Sequence, residues 1–346
     1  MTQQSSSFLT RKGIELSAKR YFITALSYMA LGLFASLIIG LIIQTIGNQI
    51  SYAPISDPLI EMGTFAMDSK IYGGAIGVAI AYGLNAPPLV LFSALFSGAF
   101  GAELGGPAGS YVSTVLAVEL GKLISKETKL DIIVTPLTTI LVGFTVGSFI
   151  GPLVNQFMTG FGELIVWATD QRPLVMGVVV AILMGWALTA PISSVAIAIM
   201  LDLNGLAAGA ATIGCAAQMI GFATMSYREN GIGGFVAQGV GTSMLQIGNV
   251  LRKPILILPP TLAGAILAPL GTVWLQLTNN ASGAGMGTSG FVGQIMTFES
   301  MGVSIEILIV ILCLHIVGPA LITLVLSEWF RKRGWIQPGD LKISYD

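Results

Sequence analysis

Apolar residues run along this chain in long unbroken blocks, separated by short polar punctuation, with little of the alternation of a half-buried strand. Crossing a bilayer as a helix takes about 20 such residues. Blocks near that length occupy residues 25–47, 71–98, 107–125, 132–153, 173–200, 206–224, 233–250, 255–277 and 303–327. Two stretches differ in kind. Residues 51–70, SYAPISDPLIEMGTFAMDSK, set two prolines and three acids among apolar residues. Residues 154–170, VNQFMTGFGELIVWATD, read as an amphipathic helix along the membrane interface, with Trp167 at headgroup level.

Composition fixes the solvent. Of 346 residues, 54% are hydrophobic and 10% charged, and the mean hydropathy is +0.83, whereas soluble domains carry about 25% charge. A chain this apolar cannot cover itself with polar surface, so the expected class is an all-α integral membrane protein embedded in the lipid bilayer. The first twenty or so residues are polar and no small-residue cleavage site follows, so a removable signal peptide is not expected. The net charge of −1 points to no nucleic-acid partner. Cys215 and Cys313 lack metal or redox spacing, His315 is the only histidine, and no phosphate loop or nucleophile motif occurs. No metal, cofactor or catalytic residue is expected.

Basic clusters set the orientation, because cytoplasmic flanks collect Lys and Arg. They fall at Arg11, Lys12, Lys19 and Arg20; Lys122, Lys126 and Lys129; Arg252 and Lys253; and Arg331, Lys332 and Arg333. Placing all four inside requires an even number of crossings between them, which makes residues 51–70 an irregular crossing. The total is about ten transmembrane helices with both termini cytoplasmic: a polar segment 1–24, a single transmembrane domain 25–330 and a tail 331–346. Gly73, Ala86-Pro87, Gly101 and Gly105 recur 104 residues later as Gly177, Ala190-Pro191, Gly205 and Gly209. This predicts inverted repeat-like halves, about 71–152 and 173–270, with helices broken at Pro87, Pro88 and Pro191.

Candidate chemistry lies in the irregular stretches. Prolines free backbone groups that in lipid must be satisfied by protein or by a wet cavity. NAPPLVLFSALFSGAFGAELGGPAG, from Asn85, therefore reads as broken helix lining a cavity, with Asn85 and Glu103 facing a solute. The alternative is an exposed loop with a solvated acid. Residues 277–302 hold Asn280, Thr288, Ser289, Gln294 and Glu299 among glycines and read as a re-entrant hairpin, or as an outer loop with a surface helix. Glu229, Asn230 and Gln238 in YRENGIGGFVAQG offer both hydrogen-bond signs, or form a plain turn. His315, beside Gly318-Pro319, reads as a structural hydrogen-bonder, with a proton relay as the alternative.

Taken together, NAPPLVLFSALFSGAFGAELGGPAG, LTAPISSVAIAIML, SYRENGIGGFVAQGVGTSMLQIGN and NNASGAGMGTSGFVGQ resemble the enzyme IIC-like family of the bacterial phosphotransferase system, in the branch that includes toxin (perfringolysin) regulators. The resemblance extends from about Ile14 to Gly334. It implies an inner-membrane sugar permease of about ten helices with re-entrant hairpins. Such a protein is typically a homodimer, binds carbohydrate near the midplane and works with separate IIA and IIB phosphocarrier proteins. The chain departs from the pattern in lacking a fused IIA or IIB domain, a phospho-acceptor motif and the histidine that better-known members place beside their glutamate. Glu103, Glu229 and Glu299 each lie in matching motifs for that acid. The leading expectation is a permease moving a polar solute by alternating access. The alternatives are a membrane sensor keeping a transporter-like pocket, or a proton-coupled carrier in which an acid titrates.

Overall fold

The structure, a computed structural model, describes residues 8–190 and 192–343. Pro191, expected at a helix break, lies outside the described residues. Every named element among these is helical, and the one backbone bridge outside helices joins Gly205 to Asn279. Six helices are long and apolar enough to cross a membrane: Arg20–Gln49, Pro88–Ile124, Asp131–Thr169, Gly205–Met225, Pro254–Trp274 and Ile305–Lys332. The chain divides into two compact units, Met1–Gly40 with Thr64–Gln156, and Leu41–Gly63 with Phe157–Asp346.

The described chain begins with a short helix, α1 (Phe8–Arg11), followed by α2 (Arg20–Gln49) and α3 (Ala53–Ala66), of which the stretch Leu41–Gly63 belongs to the second unit, and by α4 (Ser69–Gly83) in the first. Asp68 starts α4 by accepting a hydrogen bond from the Lys70 N–H at 2.8 Å. Its C-terminal end is closed by cations: Arg20 Nη2 and Lys122 Nζ both donate to the Leu84 carbonyl, at 2.7 and 3.0 Å. Asn85 then turns the chain with φ 55°, and Pro87 and Pro88 open α5 (Pro88–Ile124). Proline suits that position, since its missing N–H is one a first turn leaves unpaired anyway. Gly73 and Gly77 lie against Gly98 and Ala94, so α5 returns antiparallel to α4. The block 71–98 is therefore two helices joined by a tight turn, not one interrupted crossing.

α5 itself is folded. Gly105 (φ −147°, ψ 22°) and Gly106 (φ 59°, ψ −154°) leave helical geometry and separate residues 88–104 from 107–124. Gly101 meets Gly109 and Val90 meets Gly121, so the two halves pack antiparallel. α6 (Asp131–Thr169) follows as one helix. This corrects the expectation of a separate interfacial helix over 154–170: Asn155, Gln156 and Thr159 are polar but none is a helix stop.

In the second unit, α7 (Pro173–Thr189) and a short α8 (Ser194–Met200) lead into α9 (Gly205–Met225), the buried axis of the unit. α10 (Tyr227–Val236) continues in helical turns to Gly241, Thr242 is extended, and helix resumes towards α11 (Ile247–Arg252). The block 233–250 is thus interrupted, and so is 173–200. α12 (Pro254–Trp274) runs antiparallel to α9, with Pro260 at Gly221 and Ile213 at Gly271. Two short helices, α13 (Ala281–Ala284) and α14 (Val292–Met301), precede α15 (Ile305–Lys332).

Candidate functional site

Two irregular segments of the second unit approach α9 from its opposite ends. Residues 279–301 start at its N-terminus, where Gly205 and Asn279 bridge, and fold back on themselves at Gly287–Gly290. Along the way Gly283 reaches Thr212, Gly287 lies on the backbone of Cys215 and Ala216, and Thr288 Oγ1 is 3.5 Å from Met219 Sδ. Gly287 has φ +54°, and a Cβ there would fall 2.7 Å from the Ala216 nitrogen, so only glycine permits this approach. Residues 227–252 lie at the C-terminal end of α9, with Gly239 beside Ile220 and Ala223. The segments meet where Ser289 Oγ donates to the Gly241 carbonyl at 2.8 Å.

Neutral polar side chains gather around this junction. Thr189 Oγ1 is 2.8 Å from Ser243 Oγ and 3.4 Å from Gln218 Oε1. Gln218 Nε2 and Trp186 Nε1 both donate to Thr261 Oγ1, at 2.8 and 2.9 Å. In the hairpin, Asn279 Nδ2 donates to Thr212, the Gly293 carbonyl and Thr297, all within 3.1 Å. Gln294 Nε2 meets His315 Nδ1 at 3.2 Å, while Gln294 Oε1 and His315 Nε2 are buried without a hydrogen-bond partner among the described residues. An amide N–H only donates, so Nδ1 accepts and the neutral ring carries its proton on Nε2. The reversed amide exchanges these roles. Either way the pair leaves one unfilled donor and one unfilled acceptor, the complement of a hydroxyl group.

The residues expected from sequence distribute unevenly. Thr288, Ser289 and Gln294 stand in the junction region. Asn280 caps α13, accepting from the Gly283 N–H at 3.0 Å, and Glu299 is exposed on α14. Glu229 pairs with Arg331 at 2.9 Å. Asn230 donates to the Leu341 carbonyl and accepts from the Ile343 N–H, both at 2.8 Å. Gln238 donates to Ser226 and the Gly234 carbonyl and accepts from Gln246. The polar atoms of these last three residues are therefore engaged by the chain itself. In the first unit, Asn85 is exposed in the turn after α4, and Glu103, half-exposed, lies 3.5 Å from Lys70. These two residues sit at opposite ends of the α4–α5 pair.

Several junction residues escaped sequence reasoning: Thr189, Gln218, Ser243 and Thr261, and the pairing of His315. One signal was present, because Gln218 is a lone amide inside the apolar run of α9, where unpaired polar groups are expensive. Among the described residues no cluster of side chains could hold a metal ion.

No curated protein and no solved structure matches the chain. Residues 23–343, nearly its whole length, match the family model described as "Phosphotransferase system, EIIC". With apolar helices of membrane-crossing length and a polar interior built where broken segments meet, the chain is a multi-pass membrane protein that belongs to the phosphotransferase system EIIC family, the membrane component of sugar transport.

Proposed function

We propose that this chain is the permease subunit of a sugar phosphotransferase system, holding a neutral polyhydroxyl solute beside the Ser289–Gly241 junction and passing it by alternating access. One observation carries the reading: Gln294 and His315 pair at 3.2 Å, while Gln294 Oε1 and His315 Nε2 are each buried with no hydrogen-bond partner among the described residues. Leaving such atoms unpaired costs about 1–3 kcal/mol each, so a ligand whose hydroxyl groups fill them is favoured. The junction holds amides, hydroxyls, an indole and an imidazole, and that favours a neutral sugar over a titrating, proton-coupled cargo. Asn85 and Glu103 remain sequence-based candidates in the first unit. Phosphorylation would belong to separate IIA and IIB proteins.

The even counts between the basic clusters support ten crossings in a bacterial inner membrane, with both termini cytoplasmic. They would be α2, α4, the two halves of α5, α6, α7, the short segment 192–204, α9, α12 and α15. The hairpin 279–301 is then re-entrant from the outer side and 227–252 from the inner side. Parity between Arg20 and Lys122 is met by the turn at 84–87 without a crossing at 51–70. The homodimer rests on the family resemblance and the inverted relation of the halves on the glycine–proline echo.

Reconstituted protein tests the reading by equilibrium binding of a panel of neutral sugars, then uptake with and without a phosphate-donor system. Gln294→Met, close in volume, is expected to weaken sugar binding roughly tenfold, with folding checked by thermal unfolding. A folded Gln294→Met variant that binds as tightly as the parent overturns the site. Sugar binding without uptake under any condition overturns the permease in favour of a sensor.

A further inference from the structure

The first unit carries a second polar site, remote in character from the sugar junction. A cavity of about 250 Å³ is lined by Arg11, Lys12, Pro87, Lys122, Ser125, Lys126 and Glu127. Four cations and one carboxylate face it. Lys12 pairs with Glu127 and donates to the Ser125 carbonyl at 2.5 Å, which staples the N-terminal segment onto the turn after α5. Lys122, 1% exposed, forms the floor; its charge is met from behind by Glu119 at 3.1 Å and by the Leu84 carbonyl. Two cations, Arg11 and Lys126, are exposed and have no carboxylate partner among the described residues. The nearby Asp131 carboxylate accepts from the Thr135 hydroxyl and the Lys126 N–H, both at 2.6 Å, and its negative charge faces Lys12 and Lys126.

Set against Glu127, Glu119 and Asp131, the four cations leave the cavity a net charge of +1, with the Arg11 and Lys126 side chains outside any ion pair among the described residues. Lys122 has a structural task in closing α4, so the open positive character of the cavity rests on Arg11 and Lys126. The ring of Phe8, 43% exposed, lies 5.7 Å from the Arg11 guanidinium and 5.5 Å from Lys12 Nζ. An apolar ring beside an electropositive cavity, at the end of helices that cross a bilayer, matches a ligand with a phosphate head and an apolar body.

We propose that this cavity binds a phosphate-bearing anion, and that its source is the headgroup of an anionic phospholipid clamped between Arg11 and Lys126. Each basic group near a membrane surface contributes enough for a several-fold preference, and two together for more than tenfold. The site needs only membrane insertion and does not depend on the sugar reading.

The test uses the full chain in detergent micelles doped with phosphatidylglycerol or phosphatidylcholine, with bound lipid counted by native mass spectrometry. The parent is expected to retain phosphatidylglycerol at least tenfold better than phosphatidylcholine. In the double variant R11Q/K126Q that preference should fall to within about threefold of unity. Both replaced side chains are exposed and hold no other element, and thermal unfolding of the purified protein serves as the check on folding. Adding millimolar inorganic phosphate separates the sources. No displacement assigns the lipid, and displacement dependent on Arg11 and Lys126 overturns the lipid in favour of a soluble oxyanion. Equal phosphatidylglycerol retention by parent and double variant overturns the site.

Discussion

Gly106, at φ 59° and ψ −154°, occupies backbone space closed to any residue with a Cβ, yet nothing stands within 4 Å of where that Cβ would be. Its role is therefore purely conformational. Gly106→Ala should cost about 1–3 kcal/mol from backbone strain alone, read as a lower midpoint in thermal unfolding of the purified protein. At this scale the sequence was legible where polar residues cluster. Thr288, Ser289 and Gln294 stood out because hydroxyls and an amide in a glycine-rich, apolar stretch have no cheap explanation. Glu229, Asn230 and Gln238 stood out for the same reason, and their engagement was hidden because two of the partners, Arg331 and Leu341, lie 102 and 111 residues further on. Thr189 and Thr261 were invisible because a threonine in a helix satisfies its own hydroxyl on the preceding turn, as both do.

The C-terminal segment 334–343 behaves as an element although none of it is helical. Asn230, Gln246 and Asn249 hold the backbone of Leu341, Lys342 and Ile343, and Lys253 meets Asp340 at 2.6 Å. Asn230→Ala removes two of these bonds, about 1–2 kcal/mol, and should make residues 337–343 markedly more sensitive to protease while α9 stays protected. The same docking should respond to acid. Burial pushes the Asp340 carboxyl up, but the hydrogen bonds from Lys253 and the Gln337 N–H outweigh it and hold it below the usual carboxylate range. A folded value below the unfolded one means the stabilisation is complete above about pH 4 and is lost as pH falls through the folded value. Proteolysis of the tail should therefore accelerate only below pH 4, and Asp340→Asn should remove that dependence. Elements were legible as blocks but not as breaks. Proline at 87–88 announced a discontinuity, and only the close approach of Gly77 to Ala94 shows that the chain reverses there.

For the whole molecule the sequence gives parity better than it gives positions. The four basic clusters demand even counts, and the proposed crossings meet that demand with a different set of segments from the apolar blocks. Helices of 15 to 18 residues joined by tight turns look from sequence like one long span, as 71–98 did. Thr10→Cys and Lys332→Cys, made separately with Cys313 replaced by Ser, should both resist a membrane-impermeant maleimide in intact cells and both label after permeabilisation. Labelling of either one from outside makes the count odd and ends the ten-crossing topology. The docked tail has one more consequence, for biosynthesis. Asn230, Gln246 and Asn249 leave the ribosome about a hundred residues before the C-terminal segment that satisfies them. During insertion their amides must be kept hydrated or chaperoned, so the second unit reaches its final form only when translation has passed Ile343.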